Sequence, residues 1–99
     1  KKRWIAEQYQ QWGKANGMNF FKEPKESNSN YWLNVLIMNN EEEKQHFLNI
    51  TNNNKVMTRP AWIPMHKLQI NEESQECDLL NTDWLYERLV TVPSGVISN

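Results

Sequence analysis

Apolar positions along the 99-residue chain fall into three helix-spaced groups and several short strand-like runs. Residues 3–16 read as a helix. Trp4, Ile5, Tyr9 and Trp12 recur close to one face of the helical repeat. Gly13 interrupts that helix at modest cost, and Gly17 offers a left-handed C-cap. Met18 to Phe21 predicts a short strand, and the polar stretch Lys22 to Asn30, with Pro24 and two serines, predicts a loop. Tyr31 to Met38 is the strongest strand. Tyr31, Leu33, Val35 and Ile37 share one face, and Trp32, Leu36 and Met38 share the other with a single polar Asn34. Apolar residues on both faces imply a strand covered on both sides, or a central strand.

Asn39 or Asn40 then caps a second helix, with Glu41, Glu42 and Glu43 in the first turn, where the helix dipole favours negative charge. Phe47, Leu48 and either Ile50 or Thr51 supply its buried face, and Asn52 to Asn54 end it. Lys55 to Thr58 reads as a short strand. Arg59 to Leu68 contains Pro60 and Pro64 and cannot be regular throughout. Gln69 to Asp78 is an acidic, polar loop. A third helix runs from Thr82 to Leu89, capped by Asn81 or Thr82, before a final strand Val90 to Val92 and the turn Pro93-Ser94-Gly95. The fold class that follows is α+β, a small antiparallel sheet with packed helices.

Composition narrows the functions. One domain fits this length, and a chain this short buries only about 60–65% of its unfolded surface. Eleven basic against twelve acidic residues leave a net charge of −1. Neither a nucleic acid nor an anionic membrane is an expected partner. The longest apolar run, Val35 to Met38, falls far short of a membrane span. Cys77 is the only cysteine, which excludes an internal disulfide and fits a cytoplasmic location. Five tryptophans (Trp4, Trp12, Trp32, Trp62 and Trp84) are many for this length, and several are expected as core or interface anchors. The chain opens on Lys1, and is expected to begin inside a longer protein or to have lost a tag.

Candidate chemistry is sparse. His46 and His66 have no serine or cysteine nucleophile at a useful spacing, so no catalytic residue is assigned. Cys77 with His66 makes two soft ligands, too few for a zinc site. His46, mid-helix, reads as structural. The informative stretch is Met57 to His66. Arg59, Trp62 and His66 lie within eight residues, stiffened by Pro60 and Pro64. Arginine suits phosphate or carboxylate, an indole stacks on a sugar or base, and an imidazole hydrogen-bonds a hydroxyl or a pyrophosphate. A packed structural corner fits the same residues equally well.

Three stretches in order carry a family resemblance: NYWLNVLI (Asn30 to Ile37), VMTRPAWIPMHKL (Val56 to Leu68) and LNTDWLYERLVTVPSG (Leu80 to Gly95). Together they resemble the C-terminal part of DegT/StrS-type sugar aminotransferases, nearest to the perosamine-synthetase-like and legionaminic-acid-pathway enzymes. The resemblance implies that residues 1–99 are the small C-terminal domain of a fold-type I aminotransferase, with residues 1–17 as the interdomain helix. It implies a large domain that binds pyridoxal phosphate (PLP) through a lysine, and an active site at a homodimer interface. It further implies amino transfer from glutamate to a keto-sugar nucleotide in lipopolysaccharide or polysaccharide biosynthesis. Lys14, Lys22, Lys55 and Lys67 sit in none of the context that the cofactor lysine requires, so the isolated chain is expected to be inactive.

By the same resemblance His66 and Trp62 contact sugar or pyrophosphate. Arg59 either contacts substrate or buttresses the loop. Gly95 stands where the family commonly has a second serine. The competing expectations are a non-catalytic module that binds a sugar nucleotide, and a protein-interaction domain anchored by tryptophans. The enzyme reading also predicts an exposed apolar face built from Trp4, Trp12 or Trp84.

Overall fold

The computed structural model describes residues 1–71 and 78–96. Helix α1 spans Lys2–Asn16, strand β1 Asn19–Phe20, β2 Asn34–Ile37, helix α2 Glu41–Asn53, β3 Arg59–Pro60, helix α3 Leu80–Arg88 and β4 Leu89–Val92. Short 3-10 turns lie at Met65–Lys67 and Gln69–Asn71. The four strands form one antiparallel sheet in the order β1-β2-β4-β3, with Phe20 opposite Leu36, Leu36 opposite Val90, and Pro60 opposite Val90 on the far side. The predicted α+β class, a small antiparallel sheet with helices against it, is the observed one. The predicted loop from Gln69 to Asp78 begins with the second 3-10 turn, and the rest of it, with Cys77, lies outside the described residues except for Asp78.

Burial alternates along the two central strands. Asn34 and Leu36 of β2 and Val90 and Val92 of β4 are buried, while Val35, Ile37, Leu89 and Thr91 are half-buried. The core is Phe20, Leu36, Met38, Leu48, Val90 and Val92, flanked by Tyr9 of α1 and Phe47 of α2. β2 is therefore a central strand with one face fully packed. It is shorter than the predicted Tyr31–Met38. Tyr31 adopts a left-handed φ of 47°, and the backbone N–H groups of Tyr31 and Trp32 bond to Ser29 Oγ and Asn30 Oδ1, both at 3.0 Å. These local turns take donors that a sheet ladder would need. Trp32, expected on the buried face, is exposed in consequence.

The buried stripe of α1 also differs from the predicted one. Ala6 and Gly13 are buried and Ile5 and Tyr9 half-buried, whereas Trp4 and Trp12 are exposed. Small residues let the helix approach the sheet, and an indole at those positions would hold it off. A Cβ on Gly13 would stand 2.7 Å from Met18 O and 2.7 Å from a ring carbon of Phe20. Gly13 thus permits a close approach, and is more than the interruption its place in the helix suggests. Gly17 is the left-handed C-cap, with φ 69°.

In α2, Asn40 is the N-cap and accepts from Glu43 N at 2.8 Å. Leu48 and Thr51 point inward and Ile50 outward. The predicted strand Lys55 to Thr58 does not form. Lys55 takes φ 65°, and Thr58, almost wholly buried, bonds back to α2. The strand comes one step later, at Arg59–Pro60, on the sheet edge where a missing N–H is tolerated. Helix α3 starts before the predicted Thr82 and uses neither Asn81 nor Thr82 as a cap. Asp78 Oδ1 accepts from Leu80 N at 3.1 Å.

The turn Pro93-Ser94-Gly95 is clamped from two sides. Ser94 Oγ accepts from Asn34 N (2.9 Å) and Asn34 Nδ2 (3.1 Å) and donates to Val92 O (2.9 Å). Tyr9 Oη donates to Pro93 O at 2.6 Å, and Lys2 Nζ donates to Ser94 O. A β-carbon at Gly95 would meet nothing within 4 Å.

Candidate functional site

The corner singled out in the sequence is built on the C-terminal turn of α2. Asn52 Nδ2 donates to Thr58 O (3.2 Å) and Thr58 Oγ1 (3.1 Å), and the Thr51 and Thr58 hydroxyls meet at 2.6 Å. Asn52 Oδ1 accepts from Arg59 Nη1 at 2.8 Å, and the same Nη1 donates to Thr58 O at 2.8 Å. Thr91 Oγ1 of β4 donates to Arg59 O. Arg59 therefore braces the corner onto α2 through a neutral amide and a carbonyl. Its Nε and Nη2 have no partner among the described residues.

From this brace the chain runs through Ala61 to Pro64 into the 3-10 turn Met65–Lys67, closed by Lys67 N to Pro64 O at 2.9 Å. Trp62 is 88% exposed, and Ile63 and Met65 are exposed beside it in sequence. His66 is the opposite case. Its side chain keeps 13% of its surface exposed, and Nε2 lies 2.7 Å from Asp83 Oδ1 on α3. Lys67 Nζ stands 3.7 Å from the same oxygen. Among the described residues no hydrogen bond or ion pair joins Arg59, Trp62 and His66 to one another. What they share is one stiff loop, held at one end by α2 and at the other by α3.

Asp83, Asn52 and Thr58 were not legible as site residues. Asp83 looked like an ordinary acidic residue in a helix first turn, and Asn52 like part of an asparagine run.

A second polar cluster was also missed. Arg3 of α1 makes a two-pronged pair with Glu23 (Nη1 to Oε2 at 3.0 Å, Nη2 to Oε1 at 2.7 Å) and also donates to Asn28 Oδ1 and Ser29 O. Ser29 N donates to Glu23 Oε2 at 2.6 Å, and Glu23 N donates to Tyr31 Oη at 3.0 Å. The Arg3 guanidinium, and then the Ser29 amide, hold the Glu23 carboxyl down at about 2. This cluster folds the 22–31 loop over the half-buried side of β2. It leaves a cavity of about 250 Å³ with Phe21, Leu33 and Val35 among its apolar walls.

All five tryptophans are exposed, from 49% at Trp84 to 88% at Trp62. None is a core anchor. Trp84 carries Arg88 over its ring at 4.4 Å, and Trp12 and Phe20 meet in a T-shaped contact. The exposed apolar residues predicted at Trp4, Trp12 and Trp84 are present.

A small α+β domain with a proline-stiffened polar corner defines the class. The sequence profile of the DegT/DnrJ/EryC1/StrS aminotransferase family matches residues 1–97, and the chain belongs to that family. No curated protein matches the chain. Among the described residues no helix is long and apolar enough to cross a membrane.

Aminotransferases of this family generally use PLP, and Lys44, Lys67 and Lys2 are each engaged by groups of this chain itself. Lys44 is buried, but its Nζ donates to Tyr86 O at 3.2 Å and sits 5.0 Å from the Tyr86 ring. Lys67 faces Asp83, and Lys2 is bound to Ser94 O. The cavity beside the 22–31 loop contains no lysine. No step of the reaction is assigned to the described residues.

Proposed function

We propose that this chain is the small C-terminal domain of a PLP-dependent aminotransferase that moves an amino group from glutamate to a keto-sugar nucleotide. The chain's own part is substrate placement. Trp62 offers an open indole face for a sugar or base, and His66 offers a fixed ring nitrogen for hydrogen bonding. Arg59 braces the corner, with Nε and Nη2 left for an anionic group. The observation that carries this reading is the pairing, on one stiff loop, of a fully presented indole with an imidazole held by a helix. A purely structural corner gains nothing from an indole in water, since stacking residues lower free energy only when covered.

The exposed Trp4, Trp12, Trp32 and Trp84 are the surface assigned to the large domain of the same protein or to the second subunit of a homodimer. The perosamine-synthetase-like or legionaminic-acid-type branch, a role in lipopolysaccharide or polysaccharide biosynthesis, and a cytoplasmic location belong to the same proposal.

The test is the intact protein incubated with PLP, glutamate and a panel of keto-sugar nucleotides, with amino-sugar product measured by mass. Product is expected, and it is expected to fall on Trp62→Ala and His66→Ala. Binding of sugar nucleotides without turnover, with or without PLP, would instead establish the non-catalytic module.

A further inference from the structure

We infer that Asp83 is a positioning residue for His66, holding the imidazole so that Nδ1 is the ring atom left for a sugar hydroxyl. This rests on the reading of the corner as a substrate-placing site. The distance of 2.7 Å from Nε2 to Asp83 Oδ1 is that of a charge-assisted hydrogen bond. An ionised carboxylate only accepts, so Nε2 carries the proton. In the neutral ring Nδ1 then bears the lone pair and accepts. Among the described residues Nδ1 has no partner, while most of the ring's surface is covered. A hydroxyl donates to that lone pair in the neutral ring and accepts from Nδ1–H in the protonated one, whereas a pyrophosphate oxygen pairs only with the protonated ring. The arrangement therefore favours a hydroxyl as the group His66 reads.

The orientation is imposed from outside the loop. Asp83 lies in the first turn of α3, its own N–H bonded to Leu79 O at 2.9 Å. Helix α3 is tied to α2 by Lys44 Nζ on Tyr86 O. The other end of the corner is braced on α2 by Asn52 and Arg59. Both ends of the site are thus referred to the same helix pair. A ring held by a helix is placed more closely than one held by a loop.

The experiment uses the intact enzyme with PLP and compares Asp83→Ala, His66→Ala, the double variant and Asp83→Asn. The two half-reactions are followed separately, glutamate alone by cofactor absorbance and the keto-sugar nucleotide by product. Asp83→Ala is expected to raise KM for the keto-sugar nucleotide about tenfold, the size of one lost hydrogen bond to a charged group, and to leave the glutamate half-reaction unchanged. The double variant is expected to be no worse than His66→Ala, because the carboxylate acts through the ring. Asp83→Asn, whose carbonyl still accepts from Nε2, is expected to recover most of the loss.

Inhibition by a nucleoside diphosphate lacking the sugar is expected to be untouched by either single change. Weakened inhibition would assign His66 to the pyrophosphate and overturn the inference. Additive losses in the double variant, or equal losses in both half-reactions, would overturn the positioning role while leaving the corner's substrate role standing. An unchanged KM in His66→Ala would sink both.

Discussion

Replacing Gly13 by alanine isolates the contact that seats α1 on the sheet. The added methyl would lie 2.7 Å from Met18 O and 2.7 Å from Phe20 Cδ2, both inside van der Waals contact. Neither neighbour is free to retreat. Met18 N donates to Gly13 O at 2.8 Å, which pins that backbone against the helix end. Phe20 is paired to Leu36 in the sheet, and its ring packs on Tyr9 at 5.3 Å between centroids. Overpacking of this kind costs about 1–3 kcal/mol. Alanine gains up to about 1 kcal/mol over glycine within a helix. Two contacts at 2.7 Å, one of them on backbone, put the overpacking cost in the upper part of its range, about 2–3 kcal/mol, and the difference predicts a net loss of roughly 1–2 kcal/mol, or about 5–15 °C in Tm for a chain of this size. The assay is urea and thermal unfolding of the 99-residue chain followed by far-UV circular dichroism. Gly95→Ala serves as the control, since a β-carbon there meets open space and the change should stay within about 0.5 kcal/mol. A Gly13→Ala variant as stable as the wild type would show that helix propensity outweighs the contact, and would refute the account of how α1 docks.

Two further outcomes follow from the hydrogen-bond networks. Ser94→Ala leaves Asn34 N and Nδ2 without their buried acceptor and should cost about 2–3 kcal/mol in the same unfolding assay, whereas Gly95→Ser should be near neutral. The Glu23 carboxyl ionises at about 2 when folded, against an ordinary 4.5, so its pairing with Arg3 stabilises fully above about pH 4.5. That contribution is lost as pH falls towards 2. Urea midpoints measured at pH 7 and pH 3 should fall less in Glu23→Gln than in the wild type. An identical fall in both would remove Glu23 from the account.

Local periodicity was sufficient to locate the three helices, and capping chemistry to fix the start of α2 and the end of α1, but not the start of α3. Asn40 and Gly17 cap as their side chain and lack of one dictate, because caps depend on neighbours a few residues away. The α+β class followed from the same local evidence, and so did the selection of Arg59, Trp62 and His66 as one corner. Strand limits did not follow. The ends of β2 and β3 depend on whether a backbone polar group is taken by a nearby side chain or by a partner strand: Ser29 and Asn30 accept from the N–H groups of Tyr31 and Trp32, and Asn52 Nδ2 donates to the carbonyl of Thr58.

The tryptophans mark the deeper limit. A sequence states that an indole is apolar, not whether its cover is supplied by this chain. Here the close approaches go to Ala6 and Gly13, which leaves Trp4 and Trp12 outward. His66 was visible as a candidate, while its partner Asp83 was not. The bond that fixes the ring joins residues seventeen apart in the chain across two elements, and that spacing is set by packing of α3 on α2, not by any local rule.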